Sequence, residues 1–343
     1  MHMKLLICTQ VIDKNDPVLG FFHRWIEEFA DKCEQIVVVC LKEGEHSLPQ
    51  NVQILSLGKE KRRSRAQYIR RFYSHIVRER NNYDAVLVHM NQEYMLLGGL
   101  LWRLWGKRIA LWRNHKMGSV LTWISCKLAH VVCHTSPSAY VASYRNAVRM
   151  PIGIDIEQFM PGTSEPHSVL FLGRFDPVKK PELFLEAMEQ LEKEGVALRA
   201  NIYGDPTAGN EKYAQKIKER FKKLRNVSFH SSVGSDDTSS IYSAHSIYVN
   251  LTPPGSFDKT MGEAMASGCV VVAANDAVRR VIPEELFIKE VSIIAVAEAI
   301  KHALQLSDEA RVAVAQKSRE YVEQEHSLVL LSTRLFEIFS KSK

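Results

Sequence analysis

The sequence is short of the patterns that mark several large protein classes. Its six cysteines, Cys8, Cys33, Cys40, Cys126, Cys133 and Cys269, include no C-x2-C pair, so zinc-ribbon and thioredoxin chemistry lack their ligands. Most stand in apolar runs (LLIC, IVVVC, VVC, CVVV), where cysteine acts as a small hydrophobe, and buried free thiols are expected rather than disulfides. No G-x4-G-K-[ST] or G-x-G-x-x-G occurs, which argues against a P-loop NTPase and a nicotinamide dehydrogenase. No H-E-x-x-H, Cys/His cluster or G-x-S-x-G is present, so neither a protein-held metal nor a serine nucleophile is expected. There is no low-complexity segment and no short-period repeat. The apolar stretch Tyr94 to Trp105 has twelve residues with Arg103 inside, too short to span a bilayer. The opening MHMKLLICTQVID lacks a basic segment before a long apolar run, so Met3 to Thr9 reads as a first strand rather than a leader.

What is present suits a globular chain of two domains. One core rarely grows to serve 343 residues, and 45% hydrophobic with 24% charged residues is ordinary. The net charge of +6 is uneven. Lys59 to Arg80 holds nine basic residues and two acidic ones, 9 − 2 = +7, which leaves −1 for the rest.

Strand-like and helix-like runs alternate throughout. In the first half, Leu5–Cys8, Ile36–Cys40, Val52–Ser56, Ala85–His89, Ile109–Trp112 and Val131–Cys133 read as strands, with helices over Pro17–Ala30 and Tyr94–Trp105. PGTSEP, Pro161 to Pro166, reads as a linker. Beyond it, strands at Ser168–Leu172, Leu198–Tyr203, Val227–His230, Ser246–Leu251 and Val270–Ala274 alternate with helices at Pro181–Lys193, Asn210–Leu224, Thr260–Ser267, Ile293–Leu306 and Asp308–Glu325. Such alternation predicts parallel sheets covered on both faces. The expected division is a Rossmann-like domain over 1–162, a second over 163–322, and a C-terminal helix over 323–343 packing back on the first, with ligands beyond the carboxyl ends of the strands in a cleft between the domains.

Two loops of the second half carry the charge that chemistry needs. In LGRFDPVKKP, Gly173 and Arg174 follow a strand directly and Lys179 comes after Pro177. Arg174 presents a planar fork for phosphate oxygens and Lys179 a point charge. In PPGSFDKTMGEAMASGCVVVAAN a Pro/Gly loop runs into a short helix. Its leading N–H groups and positive dipole end seat an anion, and Glu263 one turn inside suits sugar hydroxyls. An ordinary packing unit with a surface Glu fits the same local pattern.

GRFDPVKKPELFLEAM resembles the GR-x4-K motif of glycosyltransferase family 4, the retaining nucleotide-sugar transferases of GT-B fold. MPIGIDIEQFMP is similar to that family's interdomain segment, IYGDP to its strand-end glycine, and PPGSFDKTMGEAMASGCVVVA to its Glu-(seven residues)-Glu segment. The four lie in the family's order over residues 150 to 275, while the first half resembles the family loosely. The resemblance implies two doubly wound domains facing a cleft, and transfer of a hexosyl group from a UDP- or GDP-linked sugar to a glycan or lipid-linked acceptor, with retention and no metal. Arg174, Lys179 and Gly173 would hold the diphosphate and Glu263 the ribose. The loop Gly255, Ser256, Phe257, Asp258, Lys259 and Thr260 would touch sugar and phosphate. Val233 would lie near the base, Gly20 by the donor phosphate, and His115 on the donor sugar. One position departs from the pattern: Gly255 stands where the family places its first, sugar-supporting Glu, with Asp258 and Lys259 as polar groups in the same loop. A non-catalytic nucleotide-sugar-binding homologue and a GT-B-fold epimerase are the alternatives.

In the first half, Asp13, Asn15 and Asp16 follow the first strand and Asn91 follows the fourth. They suit acceptor hydroxyls, and equally turns and helix caps. The basic segment Lys59 to Arg80, interleaved with Tyr68, Ile69, Phe72, Tyr73, Ile76 and Val77, reads as a solvated helix face, as an anchor on anionic lipid, or, least, as a nucleic-acid site without a module. A cytoplasmic enzyme at the inner face of the plasma membrane, with no nucleic-acid partner, is the expectation that joins these parts.

Overall fold

Strands that are apolar at every position must bury both faces, and both sheets of the protein are parallel as a result. A computed structural model describes residues 3–234, 237–253, 255 and 257–340. It divides into two units, 1–153 with 328–343, and 154–327.

In the first unit the elements are β1 (Met3–Ile12), α1 (Phe21–Ala30), β2 (Cys33–Glu43), β3 (Val52–Ser56), α2 (Arg65–Arg78), β4 (Ala85–His89), α3 (Gln92–Leu104), β5 (Arg108–Trp112), α4 (Val120–Leu128), β6 (Val131–His134) and β7 (Ala147–Arg149). The sheet runs β3-β2-β1-β4-β5-β6-β7, so the direction of winding reverses between β1 and β4. Alternate residues feed opposite faces. Leu5 and Ile7 of β1, with Ile36 and Val38 of β2, join Phe22, Trp25, Ile26 and Phe29 of α1 on one side. Leu6, Cys8, Val37 and Val39 join Phe72, Ile76, Met95 and Trp102 on the other.

The second unit holds β8 (Glu165–Leu172), α5 (Pro181–Lys193), β9 (Arg199–Tyr203), α6 (Glu211–Phe221), β10 (Val227–His230), α7 (Thr238–Ser243), β11 (His245–Asn250), α8 (Lys259–Ala266), β12 (Val270–Ala273), α9 (Ile293–Leu304) and α10 (Asp308–His326). Its sheet runs β10-β9-β8-β11-β12, with the reversal between β8 and β11. A final helix, α11 (Leu328–Ser340), returns to the first unit. Phe336 meets Phe29 edge-on at 6.1 Å, and Ser332 donates to Glu28 Oε1 at 2.8 Å.

The units divide at Gly153 and at Ser327, where the sequence reading placed 162 and 322. PGTSEP is not a linker between them: it lies inside the second unit, and β8 already begins at Glu165. The segment before it is held there too. Ile154 N donates to His326 O at 2.9 Å, and Phe159 packs on Tyr242 at 6.0 Å. Three elements, α4, β7 and α7, have no counterpart in the sequence reading.

α2 starts on a capping box of Ser64 and Gln67. It turns Phe72 and Ile76 into the core, and the Tyr73 hydroxyl donates to Leu97 O at 3.1 Å. Ile69 and Val77 remain 44% and 40% exposed, so the apolar interleaving seen in the sequence is divided between the core and the surface. All six cysteines are buried and unpaired. Among the described residues no helix is long and apolar enough to cross a membrane, and no cluster of side chains suits a metal ion.

Candidate functional site

In an open parallel sheet, loops on either side of the winding reversal diverge and leave a crevice at the strands' carboxyl ends. In the second unit these are the loops after β8 and β11, neighbours paired at Val169 with Ile247 and Leu170 with Tyr248. The first carries Gly173, Arg174 and Lys179, and the second runs from Leu251 to Asp258 into α8.

Polar side chains tie the two loops together. The Tyr248 hydroxyl lies 3.3 Å from Leu172 O and 2.8 Å from Thr260 Oγ1. Lys179 forms an ion pair with Asp258, and its Nζ lies 3.3 Å from Thr252 Oγ1. The same Asp258 oxygen accepts from Thr252 Oγ1 at 2.8 Å and Asn250 Nδ2 at 3.0 Å. Burial opposes the charge on Asp258, but Lys179 and the hydrogen bonds outweigh it and hold the carboxyl down at about 2. Asp258 is the N-cap of α8, yet its side chain makes no capping bond because Lys179 occupies it.

Glu263 is enclosed one turn further on. Its carboxylate accepts from the Tyr242 hydroxyl at 3.2 Å and faces Lys259 Nζ at 3.4 Å. Burial lowers the Lys259 ammonium, against the pull of Glu263. Arg174, by contrast, is exposed. Gly173 lies under a second constraint. A side chain at Gly204, which directly follows β9, would collide with the Gly173 carbonyl, so the loops after β8 and β9 meet through bare backbone. Lys180, at φ 55°, turns the chain sharply into Pro181 of α5.

The structure thus brings Gly173, Lys179, Asp258, Lys259, Thr260 and Glu263 together at the carboxyl ends of two central strands. Val233 is half-buried in the loop after β10, two strands away from β8 in the sheet order. Phe257 is 6% exposed and meets His326 at 4.8 Å. Gly255 is buried, and Ser256 lies outside the described residues.

The first unit has its own reversal, between β1 and β4, and its candidates other than His115 lie on the loops there. Gly20 caps α1 against the carbonyls of Asp16 and Lys14; a Cβ would sit 2.7 Å from each. The acidic residues before it are engaged locally. Asp13 accepts from Asn15 N at 3.1 Å, and Asp16 accepts from Val18 N at 2.9 Å and Leu19 N at 2.8 Å. Asn15 donates to Glu45 Oε2 at 3.0 Å. Of the two readings held for these residues, the turn-forming one describes their present bonds. Asn91 stands at the N-cap of α3 without a side-chain capping bond. His89 is a core group: its ring stacks on Phe22 at 4.0 Å, touches Thr9 Oγ1 at 3.2 Å, and burial depresses it to about 3. His115 is exposed after β5, with Nδ1 3.1 Å from both Met117 N and Met117 O.

Sequence reading found the charged residues and missed their pairing. Lys179 and Asp258 are 79 positions apart, and no local pattern links them. Tyr242 and Tyr248, which hold Glu263 and Thr260, were also missed, because buried tyrosines read as core.

Two parallel α/β units with loops gathered at the winding reversals define the GT-B architecture. Residues 166–306 match the family described as glycosyl transferases group 1, and residues 15–112 match that described as glycosyl transferase 4-like. By these two segments the chain is a glycosyltransferase. Solved structures agree in fold. HepE of Anabaena, in complex with UDP and glucose, is 16% identical at a TM-score of 0.77, over 99% of this chain and 100% of that one. Sucrose-phosphate synthase of Thermosynechococcus elongatus is 17% identical at 0.78, over 98% of both chains. A glycosyltransferase of Rickettsia africae is 14% identical at 0.75, again over 98% of both. No curated protein matches the sequence.

Proposed function

We propose that the chain is a retaining glycosyltransferase of the family 4 type. It moves a hexosyl group from a nucleotide-diphosphate sugar to a hydroxyl of a glycan or lipid-linked acceptor. The observation that carries this reading is the ion pair by which Lys179, on the loop that also holds Arg174, meets Asp258 at the start of the helix that encloses Glu263, at the winding reversal between β8 and β11. Arg174 and Lys179 neutralise charge that develops on the departing diphosphate, aided by the N-terminal dipole of α8. Glu263 takes the ribose hydroxyls in exchange for its bond from Tyr242. The bond from the anomeric carbon to phosphate oxygen breaks and a bond to the acceptor oxygen forms on the same face. The acceptor's proton passes to the departing phosphate, so no protein nucleophile is needed. His115 and Gly20 are assigned to the donor's sugar and phosphate, and Asp13, Asn15, Asp16 and Asn91 to the acceptor. UDP is the first donor base to test, since a solved relative of like fold carries UDP-glucose.

Gly255, in place of the sugar-supporting Glu, favours a second reading as a nucleotide-sugar-binding protein without turnover. Thermal shift and transfer assays with UDP- and GDP-sugars separate the two. Release of nucleoside diphosphate that persists in EDTA and is lost in Arg174→Ala supports the transferase. Binding without release supports the second reading, and no binding of either nucleotide sinks both.

A further inference from the structure

A helix on the surface of a soluble protein buries its apolar stripe and exposes its polar side. α4 does the reverse. Its enclosed side chains are Thr122, Ser125 and Cys126. Thr122 Oγ1 donates to Gln92 Oε1 at 2.7 Å, and Ser125 Oγ donates to Leu121 O at 2.9 Å. Outward stand Val120, 73% exposed, Leu121, 52%, and Trp123, 50%, with Met117 of the preceding loop at 71%. This orientation is fixed by bonds. A capping box of Ser119 and Thr122 starts the helix, and Thr122 is fully enclosed against α3. Tyr140, 37% exposed, borders the patch, its ring against Gly118.

The segment that carries this face has charge of one sign. No Asp or Glu lies between Glu93 and Asp155, a span with eight Lys or Arg. Lys116 precedes Met117, and Lys127 Nζ lies 5.8 Å from the centre of the Trp123 ring. A second copy of the chain, docked symmetrically, would set Lys116 and Lys127 against themselves. A soluble polyanion would pair with Lys127 and leave Met117, Val120 and Leu121 in water. An anionic lipid surface uses both features, with aliphatic side chains in the acyl boundary, Trp and Tyr at headgroup level and lysines on the phosphates.

We propose that the outward face of α4 with the Met117 loop is a docking surface for an anionic membrane. It rests on the first unit alone. α2 contributes charge at most, since Phe72 and Ile76 are committed to the core.

The test is co-sedimentation of the full chain with phosphatidylcholine vesicles, with and without phosphatidylglycerol. Wild type is expected to pellet only with the anionic vesicles, and less so in high salt. Its tryptophan emission should shift to the blue, and Trp123→Phe should remove the shift. Leu121→Ser with Val120→Ser should cut partitioning at least about tenfold, and Lys127→Gln about fivefold. An unchanged circular dichroism spectrum and melting temperature show that a variant is folded, and Val120→Ser alone replaces the pair if it is not. Equal binding to both vesicle types overturns the proposal. So does lipid binding indifferent to Val120 and Leu121, capture by heparin with that same indifference, or a solution dimer that the pair of substitutions dissolves.

Discussion

Asp258 and Lys259 are adjacent residues of opposite sign, and each holds a charge of the candidate site. Asp258 holds Lys179 and Lys259 holds Glu263. A carboxylate on Lys179 competes with any phosphate for the same ammonium. Asp258→Asn is therefore expected to lower the melting temperature of the free protein, because a buried ammonium loses its counter-charge. It should also tighten nucleoside diphosphate binding about tenfold, the scale of one charge-assisted bond. Scanning calorimetry checks the first and calorimetric titration the second, and weaker binding in Asp258→Asn would show that the carboxylate aims Lys179 instead of competing for it. Lys259→Met should weaken binding of the nucleoside alone, which has no phosphate, because Glu263 loses the cation that orients it. Arg174, Lys179 and Glu263 were legible as residues because the loops that carry them are local patterns. The pairing was not, because residues far apart in sequence meet only when β8 and β11 lie side by side.

The elements most clearly written in the sequence are those whose periodicity matches their surroundings. Val52–Ser56, Ala85–His89, Pro181–Lys193 and Val227–His230 are observed with the bounds that their patterns predict. α4 was missed for the opposite reason: VLTWISCKL turns its small and polar side chains inward, so its pattern has no core-facing apolar stripe. β7 is three residues at a sheet edge, AVR, with nothing to set it apart from a loop. α11 was legible as an apolar helix, and its packing shows why it is so apolar. Leu331, Leu335 and Phe336 complete the core that β1, β2 and α1 leave open. Phe336→Ala is expected to destabilise the first unit by about 3 kcal/mol, the usual cost of truncating a buried Phe. Urea unfolding followed by amide exchange would check this. Loss of protection is expected in β1 and α1, with β8 and β11 keeping theirs.

The chain as a unit should be most stable in a bounded range of pH. His89 is depressed from 6.5 to about 3 by burial, so its neutral form favours folding above about 6.5, and that contribution is lost as pH falls toward 3. At pH 4.5 the loss is roughly 2 to 3 kcal/mol, from about 1.4 kcal/mol per pH unit. Asp258 adds a loss only at lower pH, between its ordinary 3.8 and about 2. On the alkaline side burial raises Cys33, Cys133 and Cys269 from 9.0 to about 12, so stability is lost as pH rises above 9. The urea midpoint should thus peak between about 6.5 and 9. His89→Leu should flatten the acid limb, and an unchanged limb would locate the acid sensitivity elsewhere. A thiol reagent should find no reactive cysteine in the native protein and six after unfolding.

Alternating apolar runs and punctuating glycines and prolines were enough to establish two parallel α/β units and to mark the loops of the candidate site. Both are short-range properties, carried by periods of two and 3.6 residues and by single-residue backbone preferences. The unit to which residues 154 to 162 belong, the partner of Lys179 and the face that α4 turns outward depended on contacts across the fold. Each turns on which strands become neighbours, and that choice follows from burial summed over a whole sheet, a quantity that no window of sequence contains.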